Sequence, residues 1–302
     1  MLINIFQLFF VKDVKGIIHI GAHECEERIN YLMRFNNVSD DDIIWIDALK
    51  FKVDEIKNKN KTINIYNECI SDIDNQNIIF KITNNNQSSS ILELKEHLIE
   101  HPDIHEIGQI EMCTKTLKKF YQENNFDYSK FNFMNIDIQG AELLALKGAE
   151  NILEQVDFIY TEINTKELYK NCALVNDIDD YLKKYNFKRI KTQMTQHGWG
   201  DAFYSKFIFQ LADNYIIQYG TDDVKKDITE IVMKNENENN ISHIPIGDEN
   251  RAKIYGDPNY GRIKKIFILS NNEQYVIEND HEVFIDINTK KMYVDEKPIN
   301  NI

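Results

Sequence analysis

Residues 131–164 read FNFMNIDIQGAELLALKGAENILEQVDFIYTEIN, and this stretch decides the fold. Phe131–Ile136 is an apolar run of strand length that stops at Asp137. A tight Gln139-Gly140 step follows, then a helical period over Ala141–Leu153 with Glu142 in its first turn. Val156–Thr161 is a second apolar run, ending in Glu162. Short apolar runs alternating with helical periods indicate parallel strands joined by crossover helices. Asp137 and Glu162 are then delivered to one rim of a parallel sheet, where open α/β folds bind their ligands.

The same rhythm precedes this stretch. Ile17–Ile20 is a short strand entering Gly21-Ala22-His23, and Glu24–Phe35 has a helical period with apolar Ile29, Leu32 and Met33. Ile43–Ile46 is a strand stopped by Asp47, Leu49–Lys57 a helix, and Ile63–Tyr66 a third strand closed by Cys69-Ile70-Ser71-Asp72. This is a βαβαβ order with right-handed crossovers. Asn77–Ile82 reads as an edge strand, Asn84–Ser90 as a polar loop, and Ile107–Met112 as a weak strand before a helix over Thr114–Glu123 capped by Thr114. Downstream lie a helix over Asn176–Tyr185 and two strands, Phe187–Lys191 and Phe203–Gln210. They form an antiparallel pair across a loop carrying His197, Gly198, Trp199, Gly200 and Asp201.

Composition changes after Leu211. Strand-like runs at Tyr215–Tyr219, Ile241–Pro245, Lys264–Leu269, Gln274–Ile277, Val283–Ile287 and Met292–Val294 are separated by turn signals, with a polar loop at Asn235–Asn240. The reading is an α/β domain over 1–211, followed over 212–302 by a small β-rich module near the minimum size for a core.

The chain has 302 residues, 42% of them hydrophobic, and a formal charge of −14, which disfavours nucleic acid as a partner. The basic run Lys57–Lys61 is short and carries no interleaved aromatics. Cys25, Cys69, Cys113 and Cys172 form no CxxC, so neither a structural zinc nor a disulfide framework is expected, and a reducing, cytoplasmic setting is. The apolar MLINIFQLFFVKD at the N-terminus lacks a basic leader and is too short to span a bilayer; a helix or strand packed on the domain is expected. Abundant Asn, Ile, Lys and Tyr point to AT-biased coding.

Gly21 lies where the first strand turns into a helix, so a cofactor can approach the backbone there. A GxGxxG fingerprint would need glycines at His23 and Glu26. Instead Glu24, Glu26 and Glu27 open the helix and would repel a pyrophosphate. A cationic or neutral cofactor fits better. S-adenosylmethionine is one, with a sulfonium and an ammonium and no phosphate. The acids can equally serve only to stabilise a helix start. Asp47 can accept both hydroxyls of a ribose, or be a surface turn residue. Ser71 and Asp72 lie where an adenine edge would sit, or form a simple turn.

Asp137 can hold an amino group or a substrate hydroxyl. Glu142 can cap its own helix. Glu162 can orient a hydroxyl, act as a weak base, or pair at the sheet rim. His197 is a candidate general base, since imidazole titrates near neutrality. Trp199, beside Asp201, suits the apolar face of a sugar ring, and Gly198 and Gly200 would let the loop close over substrate; a packed hairpin turn is the alternative. His19 points into the core or at the neighbouring strand. No HExxH, EF-hand, Walker lysine or GxSxG pattern is present, and nothing visible requires a metal.

The block NIDIQGAELLALKGAENIL (135–153) resembles the central motif of the FkbM-like family of S-adenosylmethionine-dependent methyltransferases. IIHIGAHECEE (17–27), SSSIL (88–92), CTKTLKKF (113–120) and GWGDAFY (198–204) extend the resemblance over about Ile17–Phe209. It implies the class I methyltransferase fold, a Rossmann-like sheet of seven strands with the last antiparallel. It also implies O-methylation of hydroxyls on sugars, polyketides or other small metabolites.

By position, Gly21, His23 and Glu24 would line the methionine part of the cofactor, Asp47 would take the ribose, Ser71 and Asp72 would sit near adenine, and Asp137 near the reacting methyl. Cys25, already on the helix, replaces the second glycine of the first motif. The motifs do not fix the base: Asp137 and Glu162 are the acids at the reacting centre and His197 the alternative, while alignment of oxygen, methyl carbon and sulfur supplies much of the catalysis.

The expected function is therefore S-adenosylmethionine-dependent O-methylation of a sugar or glycan hydroxyl, with a small-molecule or glycan acceptor bound near Trp199 and Asp201. An NAD(P)-dependent oxidoreductase is the first alternative, opposed by Glu24–Glu27. A catalytically inactive carbohydrate- or partner-binding protein is the second, kept open by Cys25. YGTDDVKKDITEIV (219–232) and YGDPNYGRIKKIFIL (255–269) resemble a small β module found in other proteins. It could present glycans, make a homodimer contact or cover the sheet edge. The resemblance and the composition fit an origin in an AT-rich microbe or a large DNA virus.

Overall fold

In a computed structural model, which describes residues 1–8, 11, 14–206, 209–236, 240–271, 273–288 and 290–296, the alternation around 131–164 becomes the centre of a seven-stranded sheet. Its strands are β1 (Ile17–Ile20), β2 (Ile43–Asp47), β3 (Ile65–Asn67), β4 (Phe133–Ile136), β5 (Phe158–Asn164), β6 (Lys188–Met194) and β7 (Trp199–Ser205), in the order β3-β2-β1-β4-β5-β7-β6. All neighbours are parallel except β7, which runs antiparallel to both β5 and β6. This is the mostly parallel, Rossmann-like sheet expected. Every residue of β1, β4 and β5 is buried, as central strands covered on both faces require. The chain moves outward from β1 to β3, then returns to place β4 on the other side of β1. That reversal opens a crevice between the carboxyl ends of β1 and β4.

Several local expectations change. The first helix is only Arg28–Arg34, and its buried side chain is Tyr31, while Ile29 and Met33 are 62% and 65% exposed. Glu24 to Glu27 form the turn before it. Cys25 is therefore not on the helix. It is buried with φ +58°, a left-handed conformation that favours glycine, which is the physical reason a glycine suits that position. The helix after the Glu106–Lys115 strand spans Leu117–Glu123 and is capped by Thr116, whose side chain accepts from the Lys119 amide at 3.1 Å; Thr114 instead lies within the strand, one residue before its end.

Asn77–Thr83 and Glu106–Lys115 pair with each other outside the main sheet. The two-residue strand Cys69–Ile70 joins them, so Ser71 and Asp72 leave the sheet rim. At the N-terminus a single 3₁₀ turn, Ile5–Gln7, places Ile3, Ile5, Leu8 and Val11 in the core; residues 9, 10, 12 and 13 of that stretch lie outside the described residues. Cys25, Cys69 and Cys172 are buried thiols and Cys113 is exposed. Among the described residues, no helix is long and apolar enough to cross a membrane.

The chain divides into two compact units, residues 1–206 and 207–302. The second contains two four-stranded antiparallel sheets. One holds Phe209–Gln210, Lys291–Glu296, His281–Asp286 and Ile241–Ile244; the other holds Lys225–Asp227, Ile216–Gly220, Lys265–Ser270 and Glu273–Ile277. Phe209–Gln210 thus pairs within this unit and does not continue Phe203; residues 207–208 of that expected strand, 237–239 of the polar loop and 272 of a turn lie outside the described residues. Two short helices, Thr229–Lys234 and Asp248–Tyr255, were not legible in the turn-rich sequence. Its own core includes Ile217, Tyr219, Ile266, Ile268, Val283 and Ile285. Arg251, fully buried, donates to the carbonyls of Pro245, Glu278 and His281. Lys264, 2% exposed, pairs with Asp248 at 3.1 Å and Asp257 at 2.9 Å.

Candidate active site

Strand register puts one row of residues across the rim of the main sheet. Ile20 is level with Ile46 and Ile136, Ile136 with Thr161, and Thr161 with Ala202. The next position along each strand is Gly21, Asp47, Asp137, Glu162 and Asp201. Gly21 is required here by the backbone itself: its φ is +93°, and a Cβ would lie 1.7 Å from the Asp137 carbonyl oxygen. A side chain at this position would push β1 and β4 apart.

This row borders a cavity of about 590 Å³, a size typical of small-molecule sites. Gly21, His23, Asp47, Asp137, Glu162, Trp199 and Asp201 line it. Further walls come from Glu26, Glu27, Glu68, Gln139, Tyr169, from the polar loop Asn85–Ser89, and from His97 and His101. No Lys or Arg occurs among the described residues that line it.

Each acid is held by neutral donors. Both oxygens of Asp47 accept backbone amides, from His23 and Leu49 at 2.8 Å each; burial nevertheless raises its pKa. The Gln139 side-chain amide donates to Asp137 at 2.7 Å and to Glu162 at 3.0 Å, while its oxygen accepts from the Tyr169 hydroxyl at 2.7 Å. Asp137 is raised above the usual carboxylate range by desolvation within the cavity and further by Asp201 and Glu27, with the Gln139 bond opposing. Burial, then Asp137, Glu142 and Asp201, drive Glu162 well above the usual carboxylate range. Asp201 accepts from the Tyr160 hydroxyl and the Leu2 amide and is also raised by burial. Glu162 and Asp201 are buried, Asp137 stands exposed beside them at the cavity mouth, and the three carboxyls raise one another's cost of ionising, so a cation is the natural counterpart.

Glu142, 1% exposed, accepts the Ile138 and Gly140 amides at 3.1 and 3.0 Å and holds the Gln139-Gly140 turn in place; burial lifts it to about 7. Gln139 adopts φ +57° in this turn, which aims its side chain between the two strand ends.

The other expected residues lie elsewhere. Glu24 is half exposed and pairs with Lys52 at 2.8 Å, outside the cavity. Ser71 is buried under the helix Glu142–Ala149, where Gly148 leaves room for its carbonyl, and Asp72 borders a separate 240 Å³ hollow with Lys118 and Lys147. His197 is turned to Glu100, Nδ1 to Oε2 3.0 Å, and does not line the cavity.

Trp199, Gly200 and Asp201 belong to β7 and not to a loop; Gly200 pairs with Ile163 and Met194, so it is no hinge. Glu162 likewise lies inside β5. His19 sits in the cavity floor, stacked on Trp45 at 4.7 Å and bonded to the Tyr31 hydroxyl at 3.1 Å. Residues missed in the sequence are Gln139, Tyr169, Tyr160, His97 and His101. Gln139 alone carried a signal, as the non-glycine half of the tight turn.

The model of the methyltransferase FkbM domain matches residues 50–189. The 2-O-methyltransferase NoeI of Sinorhizobium fredii is 31% identical over 98 residues, 32% of this chain and 40% of that protein. A heat shock protein homolog of Encephalitozoon cuniculi is 22% identical over 193 residues, 59% of this chain and 27% of that protein. The chain thus spans well under half the length of either curated relative. A crystal structure of a methyltransferase FkbM from Methylobacillus flagellatus is similar with a TM-score of 0.42 and 12% identity, covering 65% of this chain and 45% of that one.

Proposed function

We infer that this chain, which carries a methyltransferase FkbM domain over residues 50–189, is an S-adenosylmethionine-dependent O-methyltransferase acting on a hydroxyl of a sugar or glycan. One observation carries the reading: a cavity at the sheet's switch point, walled by Asp47, Asp137, Glu162 and Asp201 and by no Lys or Arg among the described residues. Such a wall suits a ligand bearing a sulfonium and an ammonium. It opposes the pyrophosphate of a dinucleotide, which needs amide or cationic partners.

The bound cofactor would supply an electrophilic methyl group. Asp47 would hold its ribose hydroxyls, the Gly21–His23 turn would receive its methionine part, and Asp137 would face its cationic end. Gln139 would keep the Asp137 and Glu162 carboxyls in register. The relative named as a 2-O-methyltransferase supports oxygen as the accepting atom. Trp199 in the cavity wall supports a ring-shaped acceptor.

Calorimetry with S-adenosylmethionine tests the cofactor: a folded protein that shows no heat, and no competition by S-adenosylhomocysteine, removes this reading. Asp47→Ala is expected to weaken binding by about 1–2 kcal/mol. Titration with a nicotinamide dinucleotide should give no heat.

A further inference from the structure

Beyond the carboxylate row, the cavity has a second wall made by residues 85–104, where a short helix, His97–Glu100, presents His97. His97 is 6% exposed, and its Nδ1 is buried with no hydrogen-bond partner. A polar atom buried without a partner costs stability, so its retention calls for an explanation. The ring packs against His101 at 4.9 Å and Tyr169 at 5.4 Å. Tyr169 bonds to Gln139, which in turn clamps Asp137 and Glu162. One aromatic ring therefore separates His97 from the carboxylate row.

We propose that His97 is the base that takes the hydroxyl proton of a sugar acceptor seated between Trp199 and the 85–104 wall. This rests on the methyltransferase reading above. The acceptor oxygen forms a bond to the methyl carbon of a sulfonium donor; the carbon–sulfur bond breaks and leaves its electron pair on sulfur. The O–H bond breaks and its proton passes to an imidazole nitrogen of His97. The products are a methyl ether, a neutral thioether and an imidazolium.

The groups facing His97 are His101 and Tyr169; behind His101 stand His197, at 4.8 Å between rings, and Glu100, which also binds Lys166. Burial and His101 press the His97 imidazole down to about 4, so it is neutral and able to accept a proton throughout the neutral range. A hydroxyl becoming an oxonium as the new bond forms is far more acidic than an imidazolium, so a weak base suffices. The carboxyls of Glu162 and Asp137, raised in pKa and bonded to Gln139, then serve the donor side of the cavity.

The test uses the full chain with isotope-labelled histidine and tryptophan and a set of free hexoses, 6-deoxyhexoses and N-acetylhexosamines. With S-adenosylhomocysteine bound, at least one sugar should shift both the His97 imidazole and the Trp199 indole signals. With S-adenosylmethionine, that sugar should stimulate S-adenosylhomocysteine release. His97→Asn and His97→Gln should keep the wild-type affinity for S-adenosylmethionine and the KM for the sugar, while kcat falls about 10²–10⁴-fold.

Undiminished kcat in either variant overturns the proposal. So does a sugar that moves Trp199 and leaves His97 unchanged, or a protein that binds S-adenosylmethionine yet responds to no sugar. If both variants lose cofactor affinity, the wild-type imidazole shifts decide. Failure of the wild type to bind S-adenosylmethionine is a different result, and it removes the methyltransferase reading first.

Discussion

In the second unit the buried guanidinium of Arg251 meets three carbonyls, and the buried ammonium of Lys264 meets two carboxylates. In the first unit buried Glu162 and Asp201 stand beside the more exposed Asp137 on one cavity wall, and their hydrogen bonds come from Gln139, Tyr160 and a backbone amide. Charges of the first kind are neutralised within the fold and behave as structural elements. Charges of the second kind leave the fold with an excess of one sign in a cavity, an arrangement that costs stability and is found where a ligand supplies the missing charge. The contrast separates a region built to stand from one built to bind.

The contrast can be broken or sharpened at several points. Gly21→Ala should have the largest effect, more than about 4 kcal/mol on the first unit, because the new Cβ meets the Asp137 carbonyl and the left-handed φ is unsuited to alanine. Gly261→Ala in the second unit has a similar φ but open space around it, so calorimetric scans should show a loss of only about 1 kcal/mol there. Arg251→Met leaves three carbonyls without their donor and should cost the second unit about 3–5 kcal/mol, read by hydrogen exchange confined to residues 207–302.

Acid should affect the first unit in the opposite sense to an ordinary carboxylate pair. Glu142, 1% exposed, titrates near 7 when folded and near 4 when unfolded, so between those values the folded state holds more protons. The stability of the first unit should rise as pH falls from about 7 to 4; a melting temperature that falls over that window contradicts the raised carboxyl cluster. Asp257, which Lys264 holds below its usual value, works the other way and loses its contribution as pH drops through its folded pKa.

Glu162→Gln should stabilise the first unit by about 1–2 kcal/mol at pH 8, while weakening binding of S-adenosylmethionine. Stabilisation with undiminished binding would detach the cluster from the ligand. Glu24→Gln should leave cofactor affinity alone, since Glu24 is half exposed and pairs with Lys52 outside the cavity; weakened binding in calorimetry would place it at the site after all.

Strand ends were the legible part of the site. Gly21, Asp47 and Asp137 each follow an apolar run, and a parallel sheet must bring such positions to one rim. What the sequence hid depends on register and on insertions. Asp201 joins the row only because β7 pairs antiparallel with β5, opposite Glu162. Ser71 and Asp72 leave it because Cys69–Ile70 pairs with the Glu106–Lys115 strand and not with the sheet. His97 and Tyr169 come from segments with no periodic signal, and their place in the cavity wall is set by packing over long sequence separations. Helix faces were also misread: Tyr31 is buried in place of Ile29 and Met33 because its hydroxyl finds His19 and Asn135 in the sheet.

The four thiols have a practical consequence. Burial raises Cys25, and lifts Cys69 to about 12 and Cys172 to about 11, so little thiolate exists at those sites near neutral pH. Cys113 alone is exposed, on the strand Glu106–Lys115. A maleimide dye should therefore attach to the native sequence at a single place, giving a fluorescent reporter in the first unit without any engineered cysteine.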